Sequence, residues 1–309
     1  MSTTTTGPVE SQTSASEVAE LAREKQSPKA KVGMVAGYVG MAFIVIYCII
    51  PFYWMVVSSL RTPDEGRSTE FIPNPASLEN FTGVFSGNNN FGRSLVNSII
   101  IAGTSTLLTL LFGIVAAYAL ARLNFRGKGY VLGLIIACSM FPQVTLLVPL
   151  LKMFSQAEPF TWFPYWIDTY QAVIIPSLSF GLPLAIWNLT AFFRQLPVEL
   201  EQAAMVDGCT PGQAFRKVIL PLAAPGVFTT AIIVFIGAWN EFLIALTFLP
   251  SREKQTATVA ISKFTGQTGF DTPYGTIMAA GVIVTVPLLI AVLIFQRRIV
   301  AGLTAGGVK

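Results

Sequence analysis

The side chains that could do chemistry are few, because only 12% of the 309 residues are charged and the chain contains no histidine. Without histidine there is no His-based catalytic triad, no His-rich metal site and no group whose unperturbed pKa is near neutrality. The informative polar residues lie instead in the segment 194–217 and around Glu241, which interrupts a long apolar run. The chemistry open to these residues is ion pairing and hydrogen bonding with a partner or a solute.

The segment 194–217 reads RQLPVELEQAAMVDGCTPGQAFRK and predicts two short helices joined at a glycine. Pro197 suits the first position of a helix, and the acidic residues that follow it complement the helix dipole. The pair Asp207-Gly208 predicts the end of this helix, because glycine readily adopts the left-handed conformation found there. A sharp corner between two helices is therefore expected.

The second helix of this segment and one face of the first carry further signals. Thr210 and Gln213 match the capping-box pattern that starts a helix. In the first helix, Leu200, Ala203 and Ala204 share a face by helical spacing, and the alanines let another backbone approach closely. Such a face predicts a protein partner. A helix pair lying on the membrane surface is the alternative that the residues leave open.

The spacing of this segment resembles the EAA motif of ABC importer permeases, in which Glu-Ala-Ala is followed by three residues, Gly, nine residues and Ile-x-Leu-Pro. Here Gln202-Ala203-Ala204 precedes Gly208, and after nine residues stands Val218-Ile219-Leu220-Pro221. Gln202 replaces the motif glutamate, and Val218 replaces the isoleucine. Glu201, directly before Gln202, keeps an acid nearby on a different helix face. The resemblance covers about residues 32–309.

The resemblance implies that the helix pair sits in a groove on a cytoplasmic ATPase subunit, whose closure on ATP moves the loop as a rigid lever. The chain has no Gly-x-x-x-x-Gly-Lys-[Ser/Thr] phosphate loop, so ATP and Mg are expected on partner subunits. The chain itself is then non-catalytic, with no cofactor or metal of its own. The implied coupling residues are Glu201, Gln202, Ala203, Ala204, Asp207, Gly208, Leu220 and Pro221.

An assembly and a cargo follow from the same resemblance. It implies a second homologous permease, two ATPase copies and an extracytoplasmic solute-binding lipoprotein, in a lipid bilayer and without nucleic acid. Among carbohydrate importers the chain is similar to the maltose-permease class, and residues 211–219, 238–241 and 294–304 are similar to trehalose-importer permeases of actinobacteria. The expected cargo is a disaccharide such as trehalose or another α-glucoside, with glycerol phosphate or an oligosaccharide as the alternative.

Glu241 needs an explanation, because an ionisable residue inside a span commonly costs about 2.5–3.5 kcal/mol on insertion scales. One interpretation is a solute path, since carboxylate and amide groups beside an aromatic ring suit a sugar. The alternative is structural: an ion pair with the partner permease for Glu241, and hydrogen bonds between helices for the amides. On the first interpretation the candidate path residues are Gln143, Trp187, Asn188, Trp239, Asn240 and Glu241.

Six long uncharged stretches must position these residues, and each exceeds the roughly 20 residues that cross a bilayer as a helix. They predict an all-α membrane protein with six transmembrane helices. The resemblance makes this a type I ABC importer permease fold with a cytoplasmic coupling helix pair. The stretches are 32–60, 94–121, 129–151, 169–193, 218–240 and 272–296, and the fifth helix is expected to continue past Glu241 through Phe248.

Charge predicts the orientation. With both termini inside, the inner segments hold thirteen of the 20 basic residues, and the outer segments hold seven basic and eight acidic residues. The positive-inside rule then places both termini in the cytoplasm of a bacterial cell membrane. Residues 1–31, rich in Ser, Thr, Glu and Gln, predict a disordered tail, and residues 32–309 the permease domain.

Two other classes of protein compete with this interpretation. An ion-coupled secondary transporter usually carries several membrane-embedded charges or inverted repeats, whereas this chain has one embedded acid and no visible repeat. An intramembrane enzyme would need histidine or paired carboxylates inside the membrane, and the spans contain neither.

Overall fold

The computed structural model describes residues 28–62, 68–86, 91–264 and 273–307, and within these ranges the chain is helical without a β-strand. This confirms the all-α prediction. The helices are α1 (Pro28–Ser59), α2 (Glu79–Phe85), α3 (Phe91–Arg122), α4 (Lys128–Ser139), α5 (Gln143–Phe154), α6 (Gln171–Gln195), α7 (Val198–Val206), α8 (Pro211–Ala214), a π-helical turn (Phe215–Ile219), α9 (Leu220–Leu222), α10 (Ala224–Trp239), α11 (Leu243–Phe248), α12 (Ala257–Ser262) and α13 (Tyr274–Gly307).

The chain divides into two compact units, Met1–Met55 and Val56–Lys309. The first contains most of α1, and the second contains the other helices and every candidate site residue. Most of the predicted disordered tail, residues 1–27, lies outside the described residues. Helix α1 begins at Pro28, slightly before the expected boundary between the tail and the permease domain.

Four helices in the described ranges are long and apolar enough to cross a membrane: Val32–Ser59, Phe91–Arg122, Gln171–Gln195 and Tyr274–Ile294. Two further helix pairs satisfy the same criterion only when each pair is taken as one bent span, which gives up to six. The predicted third and fifth spans are these two bent pairs, so the count of six holds when each pair is taken as one span.

The third stretch is broken into α4 and α5, which meet at an angle of 86°. The break falls at Pro142, whose backbone is extended and which precedes the first residue of α5. Proline removes a backbone hydrogen-bond donor and disfavours a helical conformation in the residue before it, here Phe141. The apolar composition of residues 129–151 therefore predicted a membrane segment, and Pro142 is the residue at which this segment bends.

The fifth stretch is interrupted twice. Residues Pro211–Leu222 meet α10 at an angle of 71°, and Pro225 lies in the first turn of α10. At its other end, α10 stops at Trp239 and does not continue through Phe248. The physical reason is Glu241, whose two carboxylate oxygens accept hydrogen bonds from the backbone N–H groups of Ile244 and Ala245, both at 3.0 Å. These bonds cap a separate helix, α11.

The core that positions the candidate site is formed by α3, α6 and α10, which pack side by side. Small residues allow the close approach: a Cβ added at Gly181 of α6 would lie 3.3 Å from Val234 and 3.4 Å from Thr109. Near the segment 194–217, α3 and α6 meet the π-helical turn in one apolar cluster. Its buried members are Ala117, Leu189, Phe193, Ile219 and Ala223.

Candidate coupling site and solute path

The segment 194–217 folds as the predicted helix pair. Helix α7 has Pro197 at its N-cap and Asp207 at its C-cap, so it begins one residue later than expected from Pro197. Gly208 follows with φ +89°, the left-handed conformation that makes the corner. A side chain there is strained whatever the surrounding space, because L-residues disfavour this conformation.

The second helix starts with the predicted capping box. The Gln213 backbone N–H donates to the Thr210 hydroxyl at 3.3 Å, and the Thr210 backbone N–H donates to the Gln213 side-chain carbonyl at 2.9 Å. Helix α8 then runs into the π-helical turn and α9, which carries Leu220 and Pro221, before the bend into α10. The helix pair is thus continuous, through short helical pieces, with a membrane helix.

Glu201 turns back toward the end of α3 and not outward. Its carboxylate accepts a hydrogen bond from the Tyr118 hydroxyl and lies 3.4 Å from Nε of Arg122. The Arg122 and Glu201 side chains are 8% and 12% exposed. Arg122 also donates to the carbonyl of Leu196, just beyond α6, at 2.9 Å. One acid of the predicted coupling set is therefore occupied within the chain.

Tyr118 contacts aromatic rings on both sides. Its ring centroid lies 5.8 Å from that of Phe193 on α6 and 4.4 Å from that of Phe215 in the π-helical turn. Tyr118 and Arg122 are one helical turn apart on α3, so they present one face to the helix pair. Neither residue was a candidate from the sequence; the only signal was that they close an apolar run.

The other coupling candidates divide between an exposed and an inward side. Gln202, Ala203, Asp207, Gly208 and Pro221 are exposed, Leu220 is half-buried, and Ala204 is only 7% exposed. Leu200 and Ala203 are exposed while Ala204 faces inward, so the three do not form one uniformly open face. A groove of about 550 Å³ opens between the end of α3 and the helix pair, with Gln202 in its wall.

The candidate path residues do not come together as one lining. Trp239 is 2% exposed and stacks on Phe235 with ring centroids 5.6 Å apart. Asn240 is exposed and donates to the carbonyl of Ile236 at 2.9 Å, and Glu241 caps α11. Trp187 is 52% exposed, Asn188 half-buried and Gln143 exposed. In the part of the chain that the structure describes, no hydrogen bond or ring contact joins these three to Trp239–Glu241.

A polar cluster at the other end of α3 was also missed from the sequence. The Asn97 amide donates to the carbonyls of Glu253 and Gln255 at 2.8 and 3.0 Å and accepts from the Tyr170 hydroxyl at 2.7 Å. Asn97 is buried, so it ties the segment after α11 to the middle of the fold. A lone asparagine in an apolar run gives no sign of partners so distant in the sequence.

Asp168, in the loop before α6, also binds the segment that follows α11. Its carboxylate accepts from the Ser251 hydroxyl at 2.7 Å and lies 3.3 Å from the Lys254 ammonium. Burial alone would raise the pKa of Asp168, but the hydrogen bonds from Ser251 and the charge of Lys254 outweigh burial and lower that pKa below its ordinary value. The contact is therefore strongest with the carboxylate ionised.

Comparison with known proteins shows which family the chain resembles. Residues 109–304 match the family described as binding-protein-dependent transport system inner membrane component. The chain is 45% identical over 266 residues to the trehalose transport system permease protein SugB of Mycobacterium tuberculosis, covering 86% of this chain and 94% of that protein. It is 40% identical over 272 residues to the trehalose/maltose transport system permease protein MalG of Thermococcus litoralis, covering 88% and 95%.

A solved structure shares the fold. A chain of a bacterial ABC transporter involved in the import of the acidic polysaccharide alginate superposes with a TM-score of 0.71 at 19% sequence identity, covering 88% of this chain and 98% of that one. The match of the family model and the identity to full-length permeases agree with the helix pair and the spans described above. The chain therefore belongs to the family of binding-protein-dependent transport system inner membrane components, the permease subunits of ABC importers.

Proposed function

We propose that this chain is one permease of an ATP-driven importer whose cargo is trehalose or another α-glucoside. Membership of the family makes the chain a non-catalytic, multi-pass membrane subunit that works with a binding protein. The names of SugB and MalG support the cargo, because SugB is described as a trehalose and MalG as a trehalose/maltose transport permease, and both align with most of this chain. A different small solute, such as glycerol phosphate or an oligosaccharide, is the alternative cargo.

The helix pair α7–α8 is the proposed point of contact with a cytoplasmic ATPase subunit. The observation that carries this proposal is the exposed corner, where Gln202, Ala203, Asp207 and Gly208 all face outward. Closure of the ATPase would push on this corner, and the continuity of α8, the π-helical turn and α9 with α10 would carry the push into the membrane. Gln202 stands in place of the motif glutamate, so its contact would be a hydrogen bond and not an ion pair.

The rest of the assembly belongs to the same proposal. A second homologous permease would complete the solute path, two ATPase copies would bind ATP and Mg, and the binding protein would deliver sugar from outside. Both termini would lie in the cytoplasm, as the excess of basic residues in the inner loops indicates. No cofactor is proposed for this chain itself.

The solute path is proposed along the polar side chains of α6 and the end of α10. Asn188 and Asn240 are the first residues to test, because neither side chain is fully buried. Trp187 and Gln143 are also exposed and could face the partner permease. Glu241 and Trp239 would then support the path indirectly, since one caps α11 and the other is packed on Phe235.

The cargo and the path are tested together in the complete complex reconstituted in liposomes. Trehalose is expected to stimulate ATP hydrolysis and to be taken up, and Asn188→Ala or Asn240→Ala is expected to weaken uptake or its apparent affinity for sugar. Stimulation by glycerol phosphate or an oligosaccharide but not by α-glucosides would reject the cargo. Unchanged affinity and rate in both alanine variants would reject the path.

A further inference from the structure

We infer that Tyr118 and Arg122 anchor the helix pair to α3, and that Glu201 is a strut within the chain and not a contact to the ATPase. This inference rests on the proposed role of the helix pair in coupling. It assigns Glu201 a role different from that of its neighbours Gln202 and Ala203, whose side chains are exposed. Tyr118, Arg122 and Glu201 are called the anchor below.

The anchor holds both halves of the helix pair. On one side, the Glu201 carboxylate of α7 accepts a hydrogen bond from the Tyr118 hydroxyl and forms an ion pair with the Arg122 guanidinium, whose Nε lies 3.4 Å away. On the other side, the Tyr118 ring packs against Phe215, which follows α8 directly. Arg122 also holds the end of α6 through the Leu196 carbonyl at 2.9 Å. One turn of α3 therefore contacts three successive pieces of the chain.

Backbone packing does not replace these side-chain contacts. Helix α7 packs against α8 and the π-helical turn but makes little close backbone contact with α3. The groove of about 550 Å³ between α3 and the helix pair has Tyr118, Arg122 and Glu201 in its walls. The side chains of the anchor thus span a gap that would otherwise leave α7 loosely attached to α3.

The ion pair between Arg122 and Glu201 is largely shielded from solvent. The Arg122 and Glu201 side chains are 8% and 12% exposed, so each charge is balanced mainly by the other. Removing one partner of such a pair leaves the remaining charge poorly solvated, whereas a fully exposed pair would contribute little. A carboxylate buried in this way is poorly placed to exchange its partners for groups on another protein during a transport cycle.

The consequence is a second route for motion. The covalent route runs from the helix pair through α9 into α10, whereas the anchor passes the same displacement directly to α3. Helix α3 packs along both α6 and α10, so all three membrane helices would move with the loop. Without the anchor, a displacement of α7 would reach α3 only indirectly, through the apolar cluster at the π-helical turn and through the chain connections to α6 and α10.

The test uses the complete complex with Glu201→Gln, Arg122→Gln and the double reversal Arg122→Glu/Glu201→Arg. The matched control is Glu199→Gln, because Glu199 is an exposed acid of the same helix. Two quantities are measured: sugar transported per ATP hydrolysed, and hydrogen exchange of the backbone amides in residues 198–214. Melting temperature and co-purification of the ATPase subunit report whether the variants fold and assemble.

We expect the ratio of transport to hydrolysis to fall about two- to thirtyfold in each single variant, the range that residues in coupling networks produce. Amide exchange in residues 198–214 should accelerate in the same variants, the double reversal should recover part of both effects, and Glu199→Gln should match the wild type. Wild-type ratios in the single variants, or a double reversal no better than either single change, would overturn the inference. Exchange does not depend on the cargo, so failure of the proposed sugar transport would be distinguished from failure of the anchor.

Discussion

Gly226 offers the sharpest test of the close packing between the membrane helices α6 and α10. It lies in the first turns of α10, just after the 71° bend, and faces the ring of Phe192 on α6. A Cβ added at Gly226 would lie 2.4, 2.6 and 2.7 Å from three ring carbons of Phe192, closer than side chains tolerate. The Gly226→Ala change therefore forces the ring or the helix to move.

The expected magnitude follows from overpacking. Inserting one methyl group into a tight interface costs about 1–3 kcal/mol, which outweighs the roughly 0.5–1 kcal/mol that alanine gains over glycine inside a helix. The assay is thermal unfolding of the purified protein in detergent or nanodiscs. Gly226→Ala should lower the melting temperature, and adding Phe192→Ala should recover part of that loss by freeing the space.

Gly237 provides the control in the same helix, because a Cβ there would meet nothing within 4 Å. Gly237→Ala should leave the melting temperature unchanged or raise it slightly, since alanine favours the helix. A Gly226→Ala variant as stable as the wild type would refute the close contact between α6 and α10. The same conclusion would follow if Phe192→Ala failed to relieve the change.

Three further predictions test other parts of the structure. Gly275→Ala should destabilise the fold by about 1–3 kcal/mol, because the added Cβ would lie 2.5 Å from the Asn80 amide nitrogen. The measurement is the melting temperature, and a value equal to that of Gly237→Ala would contradict this prediction. Gly208→Ala should strain the corner at φ +89° and lower transport per ATP while insertion and assembly stay normal; unchanged coupling would count against the lever. Because the pKa of Asp168 is lowered in the folded protein, this residue stabilises the fold fully above the ordinary carboxyl pKa, and the stabilisation is lost as pH falls through the folded-state pKa. Asp168→Asn should therefore flatten the acid side of a plot of stability against pH. An unaltered plot would contradict the contact of Asp168 with Ser251 and Lys254.

Local signals predicted the helix pair well. The Thr210–Gln213 capping box and the left-handed Gly208 are both present, because each depends on residues within a few positions of one another. Composition likewise predicted helical membrane segments, since a bilayer leaves few other solutions for long apolar runs. These features could be read from the sequence because their physical causes are local.

Features that depend on distant partners could not be read in the same way. Glu201 accepts a hydrogen bond from Tyr118, which lies 83 residues earlier in the sequence. Nothing in the segment 194–217 indicates that this acid faces inward. Pro142 breaks a membrane segment, whereas Pro176 and Pro183 lie inside the uninterrupted α6. Glu241 could line a path or cap a helix, and only its contacts with α11 show the cap.

The energy source of transport is the most direct test of the central claim that this chain is the permease of an ATP-driven sugar importer. The measurement is uptake of labelled trehalose into proteoliposomes that contain this chain with its partner permease, ATPase subunit and binding protein. We expect uptake only when ATP and the binding protein are both supplied. Uptake that persists without ATP under an imposed ion gradient would contradict this function and favour a secondary transporter.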